Sequence, residues 1–446
     1  MRAYVSAHSS QVIESVISVA VFKFVVRKMV EIKRTLNLLD ATAIGVGAIV
    51  GAGIFVVLGP AVGCAGPAVV VSMVIAGTVA LFTALSFAEL GSAIPKQGGT
   101  YEFAYEMISP FAAFVSGSLW LFGQTVAGAA VSLGLASYVV AMFPFFPLKV
   151  IAVSAALVLT GLNLVGTKHS AMINNILVLV KIVILCLVVG FGVFQVNSQI
   201  YSPCAPNGLV GILQGAGFIF FAYLGFGRIA ALGEEVKNPR RTLPLAILLA
   251  LITSVILYVL TGLVATGLQN YQTLKGSGSP LADAARAMGN STLIATISFG
   301  AIVATASVLL TNLIGLSRVS FAMARNGQLP KSLVTIHSRL GTPYVSILFT
   351  GGLMTILAFV ADLRQTAAIT SFSLLSTHII LHVSAIRLRK KMPNLKTFRA
   401  PFYPLIPSLG LVSCIILMFS LPVEAWIVWA GFVIAISVYY LLRNRP

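Results

Sequence analysis

Gly45-Val46-Gly47-Ala48-Ile49-Val50-Gly51-Ala52-Gly53-Ile54-Phe55 opens a long apolar stretch with four glycines spaced so that a continuous membrane helix is disfavoured. A second such run, Gly215-Ala216-Gly217-Phe218-Ile219-Phe220-Phe221-Ala222-Tyr223-Leu224-Gly225-Phe226-Gly227, lies in the other half of the chain. In hydrocarbon an unpaired amide or carbonyl costs several kcal/mol, so lipid-facing backbone stays helical. A broken segment is tolerated where it lines a protein-enclosed cavity, and the freed groups then become ligand contacts. Paired breaks of this kind point to a secondary transporter with its site at the interface of two inverted repeats.

Composition agrees. The chain has 446 residues, 58% hydrophobic and 9% charged, with a mean hydropathy of +1.00. Soluble domains carry about a quarter charged residues, so an all-α polytopic membrane protein is expected. About twelve apolar windows of roughly twenty residues recur along it. The net charge of +18 is a topology signal. Alternate connections hold nearly all the lysine and arginine, among them Lys33, Arg34, Arg240, Arg241, Arg318, Arg325, Arg387, Arg389, Lys390 and Lys391. The opposite set holds only Lys149, Lys275, Arg286 and Arg364. Positive-inside bias then puts both termini in the cytoplasm of a multi-pass plasma-membrane protein, and nucleic acid is excluded as a partner. Cys64, Cys186, Cys204 and Cys414 show no paired spacing, and whether Cys64 and Cys204 meet stays open.

The organisation expected is a cytoplasmic segment 1–35, a first repeat 36–197 with helices one to five, a second repeat 198–388 with helices six to ten, and a peripheral pair in 389–446. Gln11 to Val26 is moderately apolar but carries Glu14 and Lys23. It reads as an amphipathic surface segment, or as lead sequence before a true start at Met29. The longest span, about Thr292 to Arg325, must tilt or project from the bilayer. The connection Gly267 to Ser291 is long enough to be either a lid or a plain linker.

At the first break the half-helix resuming after Gly53 offers free amides at a positive dipole end, suited to a carboxylate. The half-helix ending near Ile49 offers carbonyls suited to an ammonium group. Carbonyls near Phe221 and Leu224 would complete that ammonium site, with the aromatic rings as wall or gate. Two charges lie deep in the expected spans, Lys181 and Arg228. Buried ionisable groups in membranes are costly and functional by default. A lysine releases its proton readily on burial whereas an arginine does not, so Lys181 is the candidate proton carrier. His378 and His382 stand four apart, a spacing that can ligate a metal, but no third ligand type lies nearby in sequence.

From about Leu36 to Tyr403 the chain resembles the amino acid–polyamine–organocation (APC) superfamily of permeases, most closely prokaryotic amino acid permeases related to cationic amino acid transporters. The resemblance rests on the first glycine run, on Pro95-Lys96-Gln97-Gly98-Gly99-Thr100-Tyr101, and on Phe221-Ala222-Tyr223-Leu224-Gly225-Phe226 followed by Gly233-Glu234-Glu235 and Lys237-Asn238-Pro239. Arg325-Asn326-Gly327-Gln328-Leu329-Pro330 with Thr342-Pro343 adds a fourth match. It implies a leucine-transporter-type fold of two inverted five-helix repeats with helices 1 and 6 unwound. By position it implies a substrate carboxylate on the amides of Gly51, Ala52 and Gly53, and an amino group on the carbonyls of Ile49, Phe221 and Leu224, with Ala222 within the same turn. It also implies that Lys181 replaces a sodium ion, touching first-helix backbone and the Ser307 hydroxyl. Relatives often carry an acid where this chain has Gly227, so a role resting on that acid is absent.

The expected function is proton-coupled import of a neutral amino acid, since no acidic side chain is at hand for a cationic one; an exchanger or a cationic amino acid or polyamine permease is the alternative within transport. A polytopic metalloenzyme built on His378 and His382 is the alternative from another class, and a channel lacks a ring-forming polar filter.

Overall fold

The computed structural model describes residues 36–443 except 52, 95–97, 166–170, 228, 230–235, 338–339, 341 and 396, with backbone alone at 171–174. The Met29 question, Ala52, Arg228, Pro95 to Gln97 and Gly233 to Glu235 therefore lie outside the described residues.

The protein is a helical membrane bundle. A capping box, with Asn37 accepting from the Asp40 amide and Asp40 accepting from the Asn37 amide, starts helix α1, Leu38–Ile49. A π-helical turn, Gly53–Val57, leads into α2, Leu58–Ala65, and a turn at Gly66 with φ 64° separates it from α3, Val69–Ala93. There follow α4, Thr100–Met107, and α5, Pro110–Met142, whose Ser109 cap accepts from the Ala112 amide. Next come α6, Leu148–Val165, α7, Ala171–Gly192, and α8, Gly208–Tyr223, which passes into a 3₁₀ turn, Leu224–Phe226. The second half continues with α9, Pro239–Leu268, two short helices α10, Tyr271–Leu274, and α11, Pro280–Ala287, then α12, Ser291–Arg325. Last are α13, Tyr344–Val360, α14, Leu363–Lys391, α15, Leu405–Ser420, and α16, Val423–Arg443.

Among the described residues nine helical runs are long and apolar enough to cross a membrane, the first of which, Leu38–Ala93, takes in α1, α2 and α3. Helices α13 and α15 are shorter and apolar. At 35 residues α12 is about 52 Å long, well beyond the roughly 30 Å of a hydrocarbon core. Burial sorts the helices into layers. In the most apolar window of α5 and of α14, 72% is buried, against 6% for α16, so the former are the inner pillars and the latter faces lipid. Helix α5 packs on α12 and α14, α3 on α8 and α9, and α1 on α9 and α7. Among the described residues the β pairing is a single bridge between Leu36 and Val236, beside which the Lys237 amide donates to the Leu36 carbonyl.

The Gly267 to Ser291 connection is built as a cover. Leu274, Leu281, Ala282, Ala284 and Ala285 are fully buried. A methyl on Gly59 of α2 would strike the Ser277 and Leu274 carbonyls, and one on Gly278 would strike Ser137 of α5. The apolar faces of α10 and α11 thus seal one end of the bundle over α2. Cys64 and Cys204 carry free thiols, the former buried and the latter exposed.

Candidate functional site

Both glycine-rich stretches leave α-helical geometry. Helix α1 stops at Ile49 because Val50 is extended, with φ −71° and ψ 101°, although its amide still donates to the Val46 carbonyl at 2.6 Å. The chain re-enters through the π turn, where the Phe55 amide donates to the Gly51 carbonyl at 3.3 Å. A wide turn of this sort frees main-chain groups from the usual ladder and is common at functional sites. Helix α8 tightens after Tyr223 into its 3₁₀ turn, where the Leu224 amide donates to the Phe221 carbonyl.

The two interruptions touch. A side chain on Gly53 would overlap Ala222, and one on Gly225 would overlap the backbone of Ala48 and Ile49. Glycine at these two positions is what permits main chain to approach main chain. Tyr258 of α9 reaches into the junction from the side. Its hydroxyl lies 2.7 Å from the Ile49 carbonyl and 3.2 Å from the Ala222 carbonyl, one from each break. The hydroxyl carries one hydrogen, so it satisfies one of the two oxygens at a time. Tyr223 stacks at a tilt against Tyr258, with centroids 5.1 Å apart, and donates to the Met73 carbonyl at 3.2 Å. On the lid side, the buried Tyr138 of α5 donates to the Phe55 carbonyl at 2.6 Å and closes the other end of the first break.

A cavity of about 960 Å³ opens from this junction. Ile49, Gly53, Phe221, Ala222 and Leu224 all line it, as does Gly227. Gly51 is not among the residues lining the cavity: its Cα side packs on Val308 of α12, where a side chain would not fit, while its backbone stays beside the Tyr258 hydroxyl. The cavity continues between α5 and α12, past Trp120, Gln124, Thr311 and Asn312, to a charged mouth with Glu102, Glu106, Arg318 and Arg325. Asn312 is held in place by donating to the Gln124 carbonyl at 2.8 Å.

Lys181 lies behind α1, 2% exposed, and its ammonium donates to the Gly47 carbonyl at 2.8 Å, the backbone contact expected of it. The Ser307 hydroxyl donates to the Ala304 carbonyl of its own helix at 2.9 Å, which leaves its oxygen lone pairs to accept. His378 and His382 do not make a metal site with a third ligand: among the described residues no group of three histidine, cysteine or acidic side chains could hold an ion. His382 is instead flanked by hydroxyls, Ser86 at 3.0 Å from Nδ1 and Thr83 at 3.4 Å from Nε2.

Sequence reading missed Tyr258 and Tyr138. Their signal was there, since a tyrosine in the middle of an apolar span has a hydroxyl that must find an acceptor. It also missed an ion pair with a buried carboxylate. Glu89, on the last turn of α3 and 4% exposed, accepts from Arg389 Nε at 2.6 Å and Nη2 at 3.1 Å, and from the Ala400 amide at 3.1 Å.

Two interrupted helices that meet over an internal cavity, inside a bundle whose outer helices face lipid, make an integral membrane protein of the transporter class. The chain belongs to the amino acid permease family of the APC superfamily, whose profile matches residues 36–442. It is 32% identical over 440 residues to the branched-chain amino acid permease BcaP of Bacillus subtilis (strain 168), covering 93% of this chain and 94% of that one. It is likewise 32% identical to the methylthioribose transporter of the same organism, covering 94% and 95%. With the chloroplastic cationic amino acid transporter 9 of Arabidopsis thaliana it shares 34% identity over 68% of this chain and 57% of the relative.

Proposed function

We propose that the protein imports a neutral amino acid together with a proton across the plasma membrane, by alternating access. The observation that carries this is the junction of the two breaks: carbonyls of Ile49 and Ala222 compete for the one Tyr258 hydrogen, within a wall that opens onto the cavity. A substrate ammonium supplies the hydrogens that the tyrosine lacks. The substrate carboxylate faces the first turn of the resuming helix at Gly51, Ala52 and Gly53, and Phe221 and Leu224 complete the cradle. A neutral side chain is favoured because Gly227, a cavity-lining position where a side chain would meet the Phe87 ring, offers no acid, and because the mouth carries Arg318 and Arg325 as well as Glu102 and Glu106.

Coupling is assigned to Lys181 with Ser307. An ammonium on the Gly47 carbonyl ties α7 to α1, and loss of its proton weakens that tie, which biases the half-helix that bears the site. The reading includes twelve passes with both termini cytoplasmic, repeats 36–197 and 198–388, and a peripheral 389–446. Packing supports the repeats, because contacts recur when each helix is exchanged for its counterpart. The α3–α8 contact answers to α9–α1, α7–α1 to α14–α8, α5–α14 to α12–α7, and α5–α6 to α12–α13. On this topology the cavity mouth faces the cytoplasm and the lid faces outside.

Purified protein in liposomes with an imposed inward pH gradient should accumulate a neutral amino acid, and Lys181→Ala should keep counterflow exchange while losing proton-driven accumulation. Unchanged accumulation in that variant overturns the coupling role. The similarity to a cationic amino acid transporter supports a second reading, a permease for cationic substrates, which uptake of lysine in place of neutral amino acids would establish.

A further inference from the structure

His378 is a polar side chain of the cavity wall that the mechanism above leaves without work. It is 6% exposed and lines the cavity on α14, with Leu374 one turn earlier on the same wall. Its ring lies edge-on to Phe220 at 5.7 Å and tilted against Phe226 at 6.4 Å, the two rings that bracket the Phe221 to Gly225 turn. The imidazole is thus fixed directly beside the second break. His382, a single turn further along, has hydroxyl partners at both ring nitrogens. His378 has no such partner among the described residues: its Nδ1 turns back toward the Leu374 carbonyl of its own helix, and no hydrogen bond to a side chain is made at either ring nitrogen. A buried polar group left unsatisfied is costly, and nothing else in an apolar aromatic setting calls for an imidazole.

We propose that His378 selects the substrate side chain, hydrogen-bonding the amide or hydroxyl of a polar neutral amino acid whose backbone groups are held at the two breaks. This rests on the transport reading above and narrows it. With Nδ1–H turned to its own helix, Nε2 is an acceptor, so the matching ligand group is an N–H or O–H donor. The Gln124 amide, on another wall of the same cavity, provides a second polar contact for such a group. A site built to bond a polar group discriminates by leaving its own partner unsatisfied when the wrong ligand enters.

The test is uptake and competition in liposomes with L-glutamine, L-threonine, L-leucine and L-isoleucine, on the wild-type protein and on His378→Phe and His378→Asn. Wild type is expected to favour glutamine or threonine. In His378→Phe the ratio of glutamine to leucine affinity should fall at least tenfold, and His378→Asn should restore part of it. A uniform change across the four probes in both variants, or no change, overturns the proposal, as does a wild type that takes leucine and isoleucine but neither polar probe. Wild-type protein that moves none of the four is a different result, because it overturns the neutral amino acid reading on which the proposal rests. Should the phenylalanine variant fail to fold, the asparagine variant decides alone through the same ratio.

Discussion

Tyr258 shows what a single side chain does at a break. One hydrogen stands between two carbonyls that lie 36 and 209 residues away in sequence. Tyr258→Phe removes the one donor that the Ile49 and Ala222 carbonyls share, at a cost of about 1–3 kcal/mol. A lowered melting temperature in detergent, larger without substrate than with it, is the expected result; an unshifted melt in both conditions would show that the hydroxyl holds nothing. The carbonyl of Ile49 was legible in the sequence because the glycines beside it announce a helix end. Its partner was not, because an apolar helix containing a tyrosine does not say which distant oxygen that hydroxyl meets. Lys181 was legible for the opposite reason, since an ammonium in hydrocarbon needs an oxygen partner wherever it falls.

At the level of the element, clusters of glycine located both interruptions, and the helices stop within a residue or two of the expected places. What glycine spacing did not disclose is their shape, a π turn after the first and a 3₁₀ turn within the second. Those geometries are set by what presses on them from the facing chain. Gly225 is pressed hardest, with Ala48 and Ile49 main chain where its Cβ would stand. Gly225→Ala must therefore push the half-helices apart, with a strain of about 1–3 kcal/mol. Weakened substrate binding with the folded yield largely kept is expected, measured by thermal shift with ligand, and wild-type affinity would mean that the breaks separate freely. Helices α10 and α11 were unreadable as a cover because each is too short to show a period, and their burial depends on α2 and α5 beneath them.

Across the whole molecule, the apolar windows and the asymmetry of lysine and arginine were enough to expect a helical membrane bundle. Neither signal finds the Glu89–Arg389 pair, whose partners lie 300 residues apart and join α3 to α14. Arg389 also donates to the Ala400 carbonyl and stacks on Tyr403 at 4.4 Å, so the same guanidinium holds the strand of chain leading to α15. Removing the guanidinium leaves a buried carboxylate with one backbone donor, and because Arg389 is itself partly exposed the cost falls below the roughly 3–5 kcal/mol of a fully buried pair. Arg389→Ala should accordingly lower the melting temperature, and Glu89→Gln in the same chain should recover part of the loss; equal melting in single and double variants would show no coupling. The lid formed by α10 and α11 and the arginine-rimmed cavity at the other end carry a pharmacological corollary. A bulky analogue that cannot be carried across would dock in this shape only from the Arg318 side. Enclosed within vesicles of matching orientation it would jam the machine, and in the surrounding bath it would go unnoticed.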